Sequence, residues 1–198
     1  MAAGSLWGRA RTLRPFLGRV SYYLIRLLPW VPPVIWINEN LGEPTFISGP
    51  SMYPFFNDRY NKSLGRDVCW NFKYGARQGL ERGMVVTFRS PNDPEKLVVK
   101  RIIALGGDVV HTRPPYPARA VSIPPGHMWV EGDARDPEKS LDSNTYGPIS
   151  DRLVTGRITH ILLPLRKAGR VKWWEQRDLD RVQVGQAVDH FPVDWWSD

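Results

Sequence analysis

Cysteine is nearly absent: of 198 residues only Cys69 carries a thiol. A lone thiol excludes an internal disulfide and any cysteine-rich zinc site. Histidine is scarce as well. His111, His127, His160 and His190 are scattered, with no His-Glu-x-x-His spacing, which removes the helical metalloprotease pattern. There is no internal repeat and no low-complexity tract. A clean bilayer-spanning run of about 20 apolar residues is also missing. The most apolar stretch, 20–37, contains Arg26 and is interrupted by Pro29, Pro32 and Pro33. What is abundant is turn chemistry, with eighteen prolines and seventeen glycines, which argues against a helical bundle. A hydrophobic content of 42% is enough to build a core and excludes wholesale disorder.

The net charge of +7 is unevenly placed. Residues 1–40 hold Arg9, Arg11, Arg14, Arg19 and Arg26 against the single acid Glu39. A basic start that runs into apolar residues fits a membrane-flanking or organelle-targeting segment better than a nucleic-acid arm, which leads into a folded basic patch. A solvated basic tail is the plain alternative. Residues 1–19 form the basic segment and 20–41 a membrane anchor candidate. That stretch reads as a single tilted or kinked span, with Tyr22, Tyr23, Trp30 and Trp36 as interface aromatics, as a segment lying on a surface, or as a buried core segment.

From residue 42 the texture changes. Short apolar runs alternate with turn residues at Thr45–Ser48, Val68–Phe72, Met84–Phe88, Leu97–Leu105, Asp108–His111, His127–Val130 and Arg157–Leu163. Runs of about 4–8 residues punctuated by Gly106-Gly107, Pro114-Pro115 and Pro124-Pro125-Gly126 predict strands. The expectation is a mainly β, antiparallel domain over 42–165. A charged C-terminal tail, 166–198, carries Trp173, Trp174, Trp195 and Trp196 and serves either as a partner surface or as a flap folded back on the domain.

Two residues carry candidate chemistry. Ser51 sits in a tight turn, Gly49-Pro50-Ser51-Met52-Tyr53-Pro54. A serine hydroxyl needs a neighbouring base to act as a nucleophile. Lys100 lies in an apolar strand, flanked by Leu97, Val98, Val99, Ile102 and Ile103. A lysine at its ordinary pKa is neutral in only about one molecule in 2,500 at pH 7, but burial lowers that pKa. Strand alternation puts Lys100 on one face with Val98 and Ile102. Taken singly, a strand lysine is commonly solvated and a Gly-Pro-Ser turn is commonly just a turn. Other serine patterns fit worse. Tyr53 replaces the second glycine of Gly-x-Ser-x-Gly, and no lysine follows Ser51 by three residues.

Three segments in order, Ser51-Met52-x-Pro54, Lys100-Arg101 with Gly106-Gly107-Asp108, and Gly132-Asp133 with Ser140-x-Asp142-Ser143 and Gly147-Pro148, resemble the type I signal peptidase family over residues 42–165. Ser143–Ser150 and Ser90–Lys96 are similar to its mitochondrial inner membrane branch. The resemblance implies a signal peptidase I-like antiparallel β domain with an N-terminal membrane segment. It implies Ser51 as nucleophile, with its backbone N–H as an oxyanion donor, and Lys100 as general base. Ser140 would orient the lysine, Asp142 would support that loop, and Met52 and Val99 would line the substrate pocket. It implies no cofactor and no metal. The implied partners are a homologous peptidase subunit 1 in a heterodimer, precursor proteins as substrates and inner membrane lipid, with no nucleic acid. The implied location is the mitochondrial inner membrane, with the catalytic domain facing the intermembrane space.

The chain departs from the family pattern at three places, one of them Pro137-Glu138-Lys139, which make the loop from Gly132 to Ser140 longer than in common bacterial forms. Gly49 stands where some relatives carry a second, hydroxyl oxyanion donor. Asn144 stands where an arginine is common, which removes an ion pair from Asp142. Alternative readings are a scaffold subunit that stabilises a homologous catalytic partner, a bacterial-type signal peptidase, and a Ser-Lys self-cleaving repressor. The last would need a DNA-binding helix-turn-helix that residues 1–40 do not show.

Overall fold

The computed structural model describes residues 22–23, 25–58, 66–134, 136, 140–176 and 180–185. The basic segment 1–19, the start of the anchor candidate, Pro137, Glu138 and Lys139, and Trp195 and Trp196 lie outside the described residues. The chain divides into two compact units at Leu41/Gly42.

The first unit contains a 3-10 turn, Leu28–Trp30, and helix α1, Val31–Asn40. Pro32 and Pro33 fall in the first turn of α1, where a helix has no use for the missing N–H. The prolines that interrupt the apolar run in sequence therefore begin a helix. Its surface is greasy: Val31, Val34, Ile35, Trp36 and Ile37 are all exposed, as is Trp30 just before it. Ten residues rise about 15 Å, half the thickness of a bilayer core. Among the described residues, no helix is long and apolar enough to cross a membrane.

The second unit is mainly β and antiparallel throughout. Its strands are β1 (Gly42–Phe46), β2 (Val68–Phe72), β3 (Val85–Arg89), β4 (Leu97–Leu105), β5 (Val109–His111), β6 (Ala120–Ser122), β7 (His127–Glu131), β8 (Ile149–Ser150), β9 (Val154–Leu163), β10 (Gly169–Arg170) and β11 (Val182–Gln183). The large sheet runs β1-β2-β9-β3-β4-β7-β8, with β10 added to β9, and a small sheet runs β11-β5-β6. Each sequence-predicted run overlaps a strand, although Ile47 and Ser48 of the first run fall beyond the end of β1. β1 begins earlier than expected, across Pro44, which an edge strand tolerates because it needs no inward N–H there. β9 also begins earlier, across Gly156. A β-carbon at Gly156 would overlap the Asn71 side chain, so this glycine permits close packing and does not end the strand.

Adjacent residues of the central strands feed different cores. Val85 packs with Ile47, Met52, Phe56 and Ile158, while Val86 packs with Phe88, Ile102, Met128 and Val130. β3 is thus buried on both faces, which is why it reads as a continuous apolar run. β4 alternates in the same way, with Val99 on the first cluster and Val98 and Ile102 on the second. Its far end adds Ile103 and Ala104 to a third cluster with Val110, Ile123 and Trp129. The segment beyond 165, set apart on sequence as a tail, supplies strands β10 and β11, the buried Val171 and Val182, and Trp173 packed on the first cluster. Its Arg181 donates to the buried Glu131 carboxylate at 2.7 Å.

Arg101 ties β4 to the loop after β7. Its Nε and Nη2 donate to the two Asp133 oxygens at 2.7 Å each, and Nη1 donates to the Gly83 carbonyl at 2.9 Å. The guanidinium also lies 4.9 Å from the Phe55 ring centre. Such a bidentate pair holds a fixed geometry. Asp133→Ala leaves the buried guanidinium without its counter-charge and is expected to cost about 3–5 kcal/mol, read as a lower urea midpoint with the slope unchanged.

Candidate functional site

The turn that carries Ser51 connects β1 to the segment leading to β2. Gly49 has φ +84°, a conformation that costs little only for glycine. Tyr53 N–H donates to the Pro50 carbonyl and Phe56 N–H to the Met52 carbonyl, both at 2.9 Å. Met52 is fully buried in the first core cluster and anchors the turn from below. The Ser51 carbonyl accepts from Ala134 N–H at 3.0 Å. Among the described residues the Ser51 N–H has no acceptor.

Lys100 sits mid-β4, opposite Val86, and is only 2% exposed. Burial pushes its ammonium down from 10.5 to about 8. The charges of Asp142 and Asp133 work against that fall, and Lys96 adds to it. Nζ donates to Ser140 Oγ at 3.0 Å, and Ser140 Oγ donates to Asp142 Oδ2 at 2.7 Å. Asp142 is itself fixed. Gly132 N–H donates to Oδ2 at 3.0 Å, and Asn144 donates to Oδ1 from its backbone at 3.1 Å and its side chain at 3.2 Å. Asp142 also caps helix α2, Ser143–Tyr146. Asn144 therefore meets Asp142 by neutral hydrogen bonds at the position where the sequence suggested a lost ion pair.

These bonds assign directions. The Ser140 proton is committed to Asp142, so Ser140 Oγ can only accept from Lys100. A neutral Lys100 amine spends one N–H on Ser140 and keeps its lone pair for another partner. The structure brings Ser51, Lys100, Met52 and Val99 to the walls of one cavity of about 640 Å³, with Leu141 and Tyr146. Among the described residues no hydrogen bond joins Ser51 Oγ to Lys100 Nζ; Lys100 is engaged by Ser140. A larger cavity of about 1070 Å³ opens beside Tyr53–Phe55, Arg101 and Asp133. It takes in none of Ser51, Lys100, Ser140 or Asp142, so size alone does not mark the site. Among the described residues no cluster of His, Cys, Asp or Glu is arranged to hold a metal ion.

Sequence reasoning assigned no role to three contributors. Leu141 is 54% exposed although it lines the cavity, and its apolar type in a polar loop was the available signal. Tyr146 had no signal beyond its type; burial pushes its hydroxyl pKa up, with Asp142 adding to the shift. Gly132 had the clearest signal, a glycine directly before Asp133. A β-carbon there would overlap both Ser140 Oγ and the Ser51 carbonyl oxygen.

Comparison with known proteins gives a consistent picture. A family model described as signal peptidase, peptidase S26, matches residues 21–115. Mitochondrial inner membrane protease subunit 2 of Schizosaccharomyces pombe is 39% identical over 148 residues, which cover 75% of this chain and 79% of that protein. Subunit 2 of Saccharomyces cerevisiae is 37% identical over 144 residues, 72% of this chain and 80% of its own length. Mitochondrial inner membrane protease subunit 1 of Xenopus tropicalis is 35% identical over 136 residues, 68% and 77% respectively.

Because Gly132 is the point where the Ser51 turn and the Ser140 loop close on each other, Gly132→Ala is expected to destabilise the fold by about 1–3 kcal/mol through overpacking. Chemical denaturation against the unsubstituted chain measures it.

Proposed function

The chain belongs to the mitochondrial inner membrane protease subunit 2 family of signal peptidases, and we propose on that premise that it is a membrane-bound serine endopeptidase that removes sorting signal peptides from proteins delivered to the mitochondrial intermembrane space. The observation that carries this reading is the buried chain Lys100–Ser140–Asp142, opening on a cavity that Ser51 also lines.

In the proposed reaction, Ser51 Oγ attacks the scissile carbonyl and passes its proton to neutral Lys100 Nζ. At a pKa of about 8, roughly one lysine in ten is neutral at pH 7, about 200 times the ordinary fraction. Ser140 keeps the amine aimed and Asp142 keeps Ser140 in its accepting orientation. The tetrahedral oxyanion takes the free Ser51 N–H; such donors are typically worth about 2.7–4 kcal/mol in the transition state. Collapse of the intermediate expels the amine of the mature protein, which receives the proton from Lys100, and leaves an acyl-enzyme. Lys100 then removes a proton from water, whose attack frees the serine and releases the signal as a carboxylate. Met52 and Val99 line the pocket for small side chains ahead of the cleaved bond. An extended precursor segment pairs with strand edges, which supply backbone bonds while the pocket selects.

The relatives' names support the inner membrane as the location. The exposed apolar surface of α1 and the arginines before it support an N-terminal anchor whose basic end stays on the matrix side. The catalytic unit then faces the intermembrane space. The existence of related subunit 1 proteins supports a heterodimer with a homologous subunit 1.

Ser51→Ala and Lys100→Ala are each expected to abolish cleavage of a membrane-sorted precursor while the chain stays folded and in complex. Full activity in either variant would sink the dyad, and normal complex assembly with an inactive partner subunit would favour a scaffold. The unprotonated lysine is the active form, so the rate is expected to climb with pH and level off above about 8. Lys96→Ala removes a cation that lowers the Lys100 pKa and moves this limb upward. Carbonate extraction is expected to leave the full chain in the membrane pellet and to release a chain starting at residue 42. Release of both would remove the anchor from this reading.

A further inference from the structure

The turn that bears Ser51 is held from behind by a single buried carboxamide. Asn57 is 3% exposed and has φ 54°, a left-handed conformation that asparagine tolerates. Its Nδ2 donates one proton to the Ile47 carbonyl at 2.8 Å and the other to the Gly49 carbonyl at 3.3 Å. Its Oδ1 accepts from Asp67 N–H at 2.8 Å, and its own N–H donates to Asp67 Oδ2 at 3.0 Å. The carboxamide and N–H of Asn57 thus tie together Ile47 just after β1, Gly49 in the turn and Asp67 just before β2. On the far side of the turn, Lys167 Nζ donates to the Phe55 carbonyl at 3.1 Å.

The Gly49 contact matters because Gly49 lies two residues before the nucleophile. Gly49 has no side chain, and nothing lies within 4 Å of where a β-carbon would sit, so no side-chain packing helps to hold its carbonyl in one direction. The next residue, Pro50, has its φ locked by the ring. Only the Pro50 ψ torsion then separates the held Gly49 carbonyl from the Ser51 N–H. Tyr53 N–H fixes that torsion by donating to the Pro50 carbonyl at 2.9 Å. In a trans peptide the C=O and N–H point opposite ways, so the Ser51 N–H is turned away from Tyr53.

We infer that Asn57 is a positioning residue for the oxyanion donor: its carboxamide pins the Gly49 carbonyl and thereby aims the Ser51 backbone N–H at the carbonyl oxygen of the bound substrate. This rests on the acyl-transfer reading above. A residue that only closes the loop between 57 and 67 would affect stability and leave transition-state binding untouched.

The test uses the full chain in its membrane complex, with two variants. Asn57→Asp keeps an acceptor for Asp67 N–H but loses both donated protons. Asn57→Gly tolerates the backbone conformation and loses the whole side chain. Each is measured for kcat and KM on a peptide spanning a cleavage site, and for affinity toward two probes of the same sequence. One is an uncleavable peptide. The other is a peptide aldehyde, in which Ser51 Oγ bonds to the aldehyde carbon, the serine proton passes to Lys100, and the former carbonyl oxygen becomes the oxyanion. The expected result is a 10- to 100-fold fall in kcat and a parallel fall in aldehyde affinity, with KM and uncleavable-peptide affinity within twofold. Equal losses for the two probes, unchanged kcat, or failure of both variants to fold would overturn the proposal by assigning Asn57 to stability alone. A wild-type chain that the aldehyde does not inhibit would instead overturn the acyl-transfer reading and this proposal with it.

Discussion

Burying the ammonium-bearing side chain of Lys100 is the constraint around which this domain is arranged. An amine taken out of water loses several kcal/mol of hydration when charged, and a neutral one still needs partners for its protons. The fold answers with a relay that runs from β4 into the connection between β7 and β8. Ser140 accepts from the lysine, Asp142 accepts from Ser140, and Gly132 and Asn144 fill the remaining acceptor positions on Asp142. Each partner is placed by something else. Asp142 is held because it caps a helical turn, and Gly132 is there because no β-carbon fits between Ser140 and the Ser51 carbonyl. The apolar residues of β3 and β7 that surround β4 have the same effect, since a wetter strand would restore the charge.

The neighbour of Lys100 shows how one strand supports opposite outcomes. Arg101 is as deeply buried, on the other face of β4, yet it meets a carboxylate in fork geometry. A guanidinium stays charged under these conditions. Among the described residues Lys100 has no carboxylate in direct contact and reaches Asp142 through a hydroxyl. The first arrangement fixes a loop, whereas the second leaves a proton that can be moved. Swapping the two residue types would lose both properties, because a lysine cannot make the fork and an arginine cannot give up its proton.

Much of this was legible in the sequence, and for identifiable reasons. The period of the apolar runs gave the β character, and strand alternation placed Lys100 on the face shared with Val98 and Ile102. The motif order pointed to Ser140 and Asp142, which the structure joins to Lys100. The short strands β6, β8, β10 and β11 escaped because two or three residues carry no period. β1 and β9 begin ahead of the apolar runs because Gly42 and Gly156, glycines that permit close packing against Asn71, add nothing to the apolar period. Asn57 was invisible for a different reason. Its meaning depends on contacts with residues ten positions away on either side, and an asparagine near a loop reads as a turn former.

The position of β11 gives the domain a direction in time. Glu131 ends β7 and immediately precedes Gly132, and its buried carboxylate takes its shortest ion pair from Arg181, 50 residues later. Val182, the next residue, closes the third core cluster beside Trp129. A chain emerging N-terminus first therefore exposes Ser51, Lys100 and Ser140 long before the strand that braces their loop has arrived. A chain that stops before Arg181 therefore carries every site residue without the ion pair and core contact that brace the end of β7.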